Sequence, residues 1–188
     1  MVCASNQNRS VEAHYLFMTE GFKNIRSFGT STHCKLPGPS IDKPNIFSFG
    51  TPYQSIHENL KQQNQELYIQ NGILNMLERN CKVKLAPEKW QEELTARFEI
   101  IFTFDQRVYD MVIDDIAQRD ITTIISPVHI INLQVKDTHE EATGGAQHAL
   151  QLMKLIHDSD DWESDIDKIL EQFNKKTNRQ FLHTLMFY

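Results

Sequence analysis

The sequence carries, close to its first residue, the stretch Cys3-Ala4-Ser5-Asn6-Gln7-Asn8-Arg9-Ser10, and a helical pattern follows it directly. The residues between the cysteine and the arginine can wrap into a loop whose backbone N–H groups surround the oxygens of a phosphate dianion. Arg9 can bind two of those oxygens with its planar guanidinium. Cys3 then lies beneath the phosphorus, and Ser10 can donate a hydrogen bond to its sulfur. The spacing predicts a phosphate-binding loop with a thiolate nucleophile.

The same spacing also arises by chance. A match of this kind is expected in roughly one comparable protein in ten, and a cysteine is more simply a small buried hydrophobic residue. The other two cysteines have Ser40 and Pro87 six positions on and do not match. On spacing alone the two interpretations have equal weight. We favour the phosphate loop because its residues are small or carry amides and because a helix follows.

The length and composition are those of an ordinary globular protein. The 188 residues are expected to form one domain over positions 1–188. A net charge of −6 argues against direct, sequence-independent binding to nucleic acid. Neither a membrane span nor a signal peptide is predicted, so we expect no membrane contact. The three cysteines have the spacing of neither a disulfide framework nor a zinc site, and we expect no metal and no cofactor.

Hydrophobic periodicity predicts strands that alternate with helices. The strands are expected over residues 24–28, 98–103, 127–132 and 181–188, and the helices over 11–20, 52–62, 65–77, 87–94, 105–118, 137–157 and 162–177. Residues 30–50, rich in proline, glycine and serine, are expected to form a functional loop. The residues expected to face the core from two of the helices are Ile69, Ile73, Met76, Leu77, Val108, Met111, Val112 and Ile116. His129 is interpreted as a core histidine rather than a ligand.

Strands that alternate with helices predict an α/β fold of three layers, with a mostly parallel central sheet flanked by helices. Ligands of such sheets bind beyond the carboxyl ends of the strands, where the loops after Cys3, after Phe28 and around Asp137 can converge. Expulsion of a serine or tyrosine oxygen needs a proton, which a carboxylic acid can supply. Asp137 is the best candidate because it follows a buried strand and precedes a helix. An ordinary helix-start carboxylate is an equally weighted alternative.

Several motifs beyond the loop together resemble one protein family. They are Glu12-Ala13-His14, Arg26-Ser27-Phe28-Gly29-Thr30, Lys35-Leu36-Pro37-Gly38-Pro39, Gln70-Asn71-Gly72-Ile73-Leu74, Arg107-Val108-Tyr109-Asp110, Asp137-Thr138-His139-Glu140-Glu141-Ala142 and the ending Phe187-Tyr188. With the cysteine loop they are similar to the cysteine-based phosphatases of the RNA polymerase II C-terminal domain. The resemblance covers Val2 to Tyr188. It implies a fold related to the low-molecular-weight tyrosine phosphatases.

The resemblance also implies a mechanism and partners. It implies a metal-independent serine phosphatase acting on phosphoserine–proline motifs through a phosphocysteine, with Cys3 as nucleophile, Arg9 as phosphate clamp and Asp137 as general acid. The other residues of the phosphate site would be Ala4, Ser5, Asn6, Gln7, Asn8 and Ser10. Residues Lys35, Leu36, Pro37, Gly38 and Pro39 would line the substrate groove, where the serine–proline bond is bound in its cis form. Implied partners are the phosphorylated polymerase tail, cleavage and polyadenylation factors and a symplekin-type scaffold. The implied role is in transcription termination and mRNA 3′-end processing; the implied location is nuclear, with a cytoplasmic one left open.

One departure from the family is the first strand, since only Met1 and Val2 precede Cys3. Strands usually have about 5–6 residues. We expect this strand to be missing or truncated, which would leave two neighbouring strands unpaired and the loop poorly anchored. A sequence truncated at its start and a fold with a gap both stay open, and we favour the first. Cys34 has no assigned role.

Two other functions compete with the serine phosphatase. A small tyrosine phosphatase or an arsenate reductase could use the same loop, and an arsenate reductase would need a resolving cysteine such as Cys34 nearby in space. An inactive scaffold-binding module without its first strand is the third possibility. Turnover of a phosphoserine–proline peptide beside a phosphotyrosine peptide distinguishes the three.

Overall fold

In a computed structural model of the protein, described for residues 1–40, 42–119, 125–179 and 181–188, apolar strands form a central sheet between helices. The strands are β1 Val2–Cys3, β2 Phe28–Gly29, β3 Cys34–Ser40, β4 Lys43–Phe47, β5 Ile100–Thr103, β6 Pro127–Leu133 and β7 Phe181–Phe187. The α-helices are α1 Arg9–Thr19, α2 Tyr53–Gln70, α3 Ile73–Val83, α4 Gln106–Gln118, α5 His139–His157 and α6 Trp162–Thr177, with a 3₁₀ turn at Trp90–Glu92. No helix within the described ranges is long and apolar enough to cross a membrane.

The central sheet has the strand order β2-β1-β5-β6-β7. Its first four strands are parallel, and β7 is antiparallel to β6. Alternate side chains leave the sheet on opposite faces. Phe102 and Ile131 pack with α1, α5 and α6, whereas Ile101 and Ile130 pack with α4 and Trp90. The expected α/β fold with a mostly parallel sheet between two helical layers is confirmed.

The consequence expected of a missing first strand is wrong. β1 has two residues, yet it lies between β2 and β5 and pairs with both, with Val2 opposite Phe28 on one side and Thr103 on the other. Val2 is fully buried. Backbone bonds continue the ladder past the strand, because the carbonyl oxygen of Cys3 accepts a hydrogen bond from the Thr30 N–H at 3.1 Å. The neighbouring strands are therefore bridged, and the loop has a fixed starting point.

Residues 30–50 are not the unstructured loop that their composition predicts. Within their described part they form an antiparallel hairpin of β3 and β4, outside the central sheet; position 41 lies outside the described residues. A Cβ atom at Gly38 would lie 1.6 Å from the carbonyl oxygen of Lys43, so the two backbones approach as only glycine permits. Prolines are tolerated because a two-stranded ribbon leaves many N–H positions free of ladder bonds. Leu36 attaches the hairpin to the core formed by α2 and α3.

Several predicted elements have different boundaries. The strand expected over 24–28 is limited to Phe28–Gly29, and the helix over 87–94 to the 3₁₀ turn. The break expected between residues 62 and 65 coincides with the non-helical Asn64 inside α2. The helix expected over 65–77 is instead interrupted at Gly72 (φ 77°), where α3 begins. Ile69 and Met111 are not core residues, since they are 50% and 41% exposed. His129 is buried and shares a hydrogen bond with His183, as a core histidine should.

Candidate active site

The loop between β1 and α1 closes around a space beyond the carboxyl ends of the parallel strands. Its first part is tied to the chain after β2, since the carbonyl oxygen of Ala4 accepts a bond from the Ser31 N–H at 3.0 Å. Asn6 adopts a left-handed conformation with φ 50°, which asparagine tolerates better than most residues. The loop then enters α1 at Arg9, so the positive end of that helix dipole faces the enclosed space.

Cys3 is buried at the base of this loop, with its sulfur 3.0 Å from the hydroxyl oxygen of Ser10. The same hydroxyl oxygen accepts a hydrogen bond from the side-chain amide of Asn6 at 3.0 Å. With its oxygen already accepting, Ser10 has its hydroxyl hydrogen available for the cysteine sulfur.

Residues that follow β5 and β6 accept hydrogen bonds from one side of the Arg9 guanidinium. One terminal nitrogen, Nη1, donates to the carbonyl oxygens of Phe104 and Val135, at 3.2 and 2.9 Å, and lies 3.4 Å from the carboxylate of Asp105. Nε is buried and has no hydrogen-bond partner within the described part of the chain. The edge formed by Nε and Nη2 is therefore the one that can bind two oxygens of an anion.

Asp137 lies between β6 and α5 and reaches the loop from the opposite side. Its Oδ1 accepts a hydrogen bond from the Asn8 side chain at 3.0 Å, and its Oδ2 lies 3.4 Å from Nη2 of Arg9. The side chain is 58% exposed. Thr138, not Asp137, caps α5, because its hydroxyl oxygen accepts from the Glu141 N–H. Asp137 is therefore not the N-cap of α5 itself, and its carboxylate contacts Asn8 and Arg9 of the loop. Its role as general acid stays a prediction.

The remaining loop residues differ in burial and in the partners of their side chains. Ala4 and Ser5 are half-buried, and the hydroxyl oxygen of Ser5 accepts from the Lys35 N–H at 3.2 Å, which joins the loop to β3. Gln7 is buried, and its side-chain Nε2 has no partner among the described residues. The side-chain amide of Asn8 donates hydrogen bonds to the carboxylate of Asp137 and to the carbonyl oxygen of Thr138.

A cavity of about 350 Å³ opens from Cys3 between the hairpin and α3. From the predicted groove, Lys35, Leu36 and Pro37 line it, whereas Gly38 and Pro39 are not among its lining residues. The opposite wall comes from Asn71, Gly72, Ile73 and Met76, at the junction of α2 and α3. The cavity is lined by the cationic Lys35 and by the apolar Leu36, Pro37, Ile73 and Met76. Such a lining suits a peptide in which an apolar residue follows an anionic group.

Cys34, at the start of β3, is fully buried. Burial raises the pKa of its thiol to about 12, with the charge of Cys3 adding to the effect. A resolving cysteine has to attack as a thiolate, so this environment does not favour the arsenate-reductase alternative. In the described part of the chain no three His, Cys, Asp or Glu side chains are grouped as a metal site.

A family model described as Ssu72-like protein matches residues 1–188, the whole chain. The chain belongs to the Ssu72 family. Two relatives both carry the name of the RNA polymerase II C-terminal domain phosphatase SSU72. The one from Dictyostelium discoideum is 71% identical over 189 residues, covering 100% of this chain and 88% of the relative. The one from Homo sapiens is 47% identical over 188 residues, covering 100% and 95%.

Solved structures of Ssu72 proteins have the same fold. One is the serine phosphatase of the RNA polymerase II CTD from Drosophila melanogaster, with a TM-score of 0.95 at 40% identity, covering 100% of this chain and 97% of that one. A second shows D. melanogaster Ssu72 with Symplekin, bound to a cis peptidomimetic CTD phospho-Ser5 peptide. It has a TM-score of 0.94 at 38% identity and covers 100% of this chain and 96% of that one.

Sequence reasoning on this Ssu72 chain missed two parts of the site. Asp105 contacts Arg9 and also caps α4, by accepting from the Arg107 N–H at 3.0 Å. The signal that selected Asp137, a carboxylate between a buried strand and a helix, applies equally to Asp105.

The cavity wall from Asn71 to Met76 was missed because Ile73 and Met76 fit the helical spacing of core residues. Periodicity does not distinguish a core face from the wall of a cavity.

Proposed function

We propose that this chain is a phosphatase of the RNA polymerase II C-terminal domain, removing phosphate from serine in serine–proline motifs through a phosphocysteine and without a metal. Family membership and the named relatives support the phosphatase activity and its substrate. The observation that carries the cysteine mechanism is the position of Cys3 at the base of the loop, with the hydroxyl of Ser10 beside it and with Arg9, whose Nε has no partner among the described residues, at the loop's end.

The reaction follows from that geometry in two steps. The Cys3 thiolate attacks phosphorus, the bond to the serine oxygen breaks, and Asp137 donates its proton to that oxygen as it leaves. The inward N–H groups and Arg9 hold the three remaining oxygens throughout. Water then attacks the phosphocysteine, Asp137 takes its proton, and phosphate and the thiolate are released.

The cavity beside Cys3 supports the substrate assignment. Leu36 and Pro37 from the hairpin, with Ile73 and Met76 from α3, offer aliphatic contacts to the proline that follows the phosphoserine. The Symplekin complex of the Drosophila relative, with its cis phospho-Ser5 peptidomimetic, supports the same substrate and a symplekin-type scaffold as partner. A role in mRNA 3′-end processing, and hence a nuclear location, belongs to this proposal.

The deciding experiment compares Cys3→Ser with Cys81→Ser. Cys81 is an exposed cysteine outside the site, which makes it a matched control. A phosphoserine–proline peptide, the same peptide with phosphotyrosine, and an excess of a metal chelator are tested on each protein. We expect turnover of the phosphoserine peptide in the parent and in Cys81→Ser, unchanged by the chelator. Cys3→Ser should lose at least about a thousandfold in kcat while still binding phosphate.

Other results would overturn parts of this proposal. Residual activity of Cys3→Ser within about tenfold of the parent would exclude Cys3 as nucleophile. Loss of activity with the chelator would contradict the metal-independent mechanism. Preference for the phosphotyrosine peptide would favour the small tyrosine phosphatase, and no turnover of either peptide would favour the inactive scaffold-binding module.

A further inference from the structure

Side chains outside the phosphate loop hold three of its successive carbonyl oxygens. The hydroxyl of Tyr53 donates to the carbonyl oxygen of Asn6 at 2.5 Å. The guanidinium of Arg79 donates through Nη2 to the carbonyl oxygen of Gln7 at 2.9 Å and lies 3.4 Å from that of Asn8. These donors come from α2 and α3, on the outer side of the loop, and they do not reach the space where an anion binds.

A peptide unit is planar and trans, so its C=O and its N–H point in opposite directions. A carbonyl held from outside therefore turns the N–H of the next residue inward. The hydroxyl of Tyr53 fixes the direction of the Gln7 N–H in this way, and Arg79 together with Asn80 fixes that of the Asn8 N–H. The carbonyl oxygen of Asn8 also accepts the first hydrogen bond of α1, from the Glu12 N–H at 2.9 Å, so the helix itself sets the direction of the Arg9 N–H and the contact from Arg79 only adds to it. Anion binding by a loop depends on such a set of converging N–H groups.

Arg79 is itself held rigidly. It is 11% exposed and forms an ion pair with Glu12 of α1 through Nη1. The side-chain oxygen of Asn80, a fully buried residue, accepts from Nη2 and Nε of Arg79 at 2.6 and 3.1 Å. The amide of Asn80 donates in turn to the carbonyl oxygen of Gln7 at 2.8 Å. Glu12 neutralises the positive charge of Arg79. Arg79 therefore acts on the loop by orienting its peptide groups and not by adding positive charge.

We propose that Arg79, with Tyr53 one peptide earlier, is a positioning residue that aims the loop N–H groups at the phosphoryl oxygens. The inference rests on the proposed function for the identity of the anion. It predicts that phosphate binding depends on the planar, multiple-donor geometry of the Arg79 guanidinium and that a positive charge alone at this position does not support it. Lysine retains the charge, but its single ammonium group cannot contact Glu12, Asn80 and two carbonyls at once.

The test measures inorganic phosphate binding in the Cys3→Ser background, by following backbone amide resonances during a phosphate titration. Arg79→Lys should weaken phosphate binding about tenfold, as expected for lost hydrogen bonds to a charged group, and should reduce the shift of the Asn8 amide more than that of the Arg9 amide. Arg107→Lys is the matched control. Arg107 is exposed on α4, so its replacement should change the dissociation constant by less than about twofold.

Tyr53→Phe is the second variant, because it removes one hydroxyl and keeps the buried ring. It should weaken phosphate binding about threefold and reduce the shift of the Gln7 amide. A folded Arg79→Lys protein that binds phosphate as the parent does would overturn the inference. If Arg79→Lys does not fold, unchanged binding by Tyr53→Phe would overturn it instead.

The outcomes separate this inference from the proposed function. Phosphate binding is measured without turnover, so it tests Arg79 even if no phosphopeptide is hydrolysed. In the turnover assay, the positioning role predicts that Arg79→Lys lowers kcat as well as raising KM, because the same N–H groups hold the transition state. An active parent with normal turnover by Arg79→Lys would refute the positioning role and leave the phosphatase assignment intact.

Discussion

Two adjacent glycines of α5 test how the helix supports Arg9. A Cβ atom at Gly145 would lie 2.4 Å from Cγ2 and 3.0 Å from Cγ1 of Val135, whereas one at Gly144 would meet nothing within 4 Å. Val135 is buried, and its carbonyl oxygen is the closest acceptor of the Arg9 guanidinium, at 2.9 Å. An added methyl group at Gly145 therefore pushes directly on the residue whose carbonyl oxygen holds Arg9.

Both alanine variants gain helix propensity, but only Gly145→Ala also overpacks against Val135. Glycine to alanine inside a helix stabilises by roughly 0.5–1 kcal/mol. At Gly144 this is the whole effect, so the melting temperature should rise by about 1–4 °C. At Gly145 overpacking against the stiff, branched Val135 costs roughly 1–3 kcal/mol. The net change there is a destabilisation of up to about 2.5 kcal/mol and a fall of up to about 10 °C.

Activity should separate the variants more sharply than stability does. Misplacing a group that orients a substrate by about 1 Å can cost a factor of 10² in rate. We expect Gly145→Ala to lower kcat on a phosphoserine–proline peptide by about tenfold and Gly144→Ala to change it by less than about twofold. The assay is steady-state phosphate release at a temperature where both variants are fully folded. Equal stabilisation of the two variants, or equal kcat, would refute the reasoning.

Three further predictions concern other parts of the molecule. Gly29→Ala should reduce kcat by at least about tenfold in a folded protein, because its Cβ would lie 2.7 Å from the carbonyl oxygen of Ala4 and 2.9 Å from the Asn6 nitrogen; parental kinetics would contradict this. Asp137→Asn should cut phosphoserine-peptide turnover by about 10²–10⁴-fold and an aryl phosphate by distinctly less, since a phenolate leaves without a proton; equal small losses would mean that the acid lies elsewhere. Burial lowers the pKa of His14 to about 4, so the unfolded chain takes up this proton first and the free energy of unfolding should fall by up to about 3 kcal/mol from pH 6.5 to pH 4. Denaturant unfolding at several pH values should show a shallower fall for His14→Gln, and an unchanged slope would exclude His14 as the cause.

Some features of this protein follow from short-range sequence alone. The step from Cys3 through the loop into α1 involves neighbouring residues, so its composition and spacing already predict a loop followed by a helix. The long apolar run of β6 and the periodicity of α6 likewise specified the type of each element. A continuous apolar run is typical of a strand buried on both faces, and a repeat of about 3.6 residues is typical of an amphipathic helix, whatever surrounds them.

Other features follow from contacts between distant parts of the chain, and the sequence did not predict them. The hairpin of β3 and β4 has prolines and a glycine that are typical of a loop, and its packing against α2 and α3 makes it a hairpin. Asp105 and Asp137 have the same local setting, and both prove to contact Arg9 only in the folded chain.

The sequence by itself therefore determined the loop from Cys3 to Arg9 and the alternation of strands and helices. Tertiary structure decided which distant side chains surround that loop. Arg79 shows the physical reason: nothing within its own helix distinguishes it from a surface arginine, and the role proposed for it depends on carbonyl oxygens more than seventy positions away. Hydrogen bonds over such separations depend on how the helices pack, and local spacing carries no record of that packing.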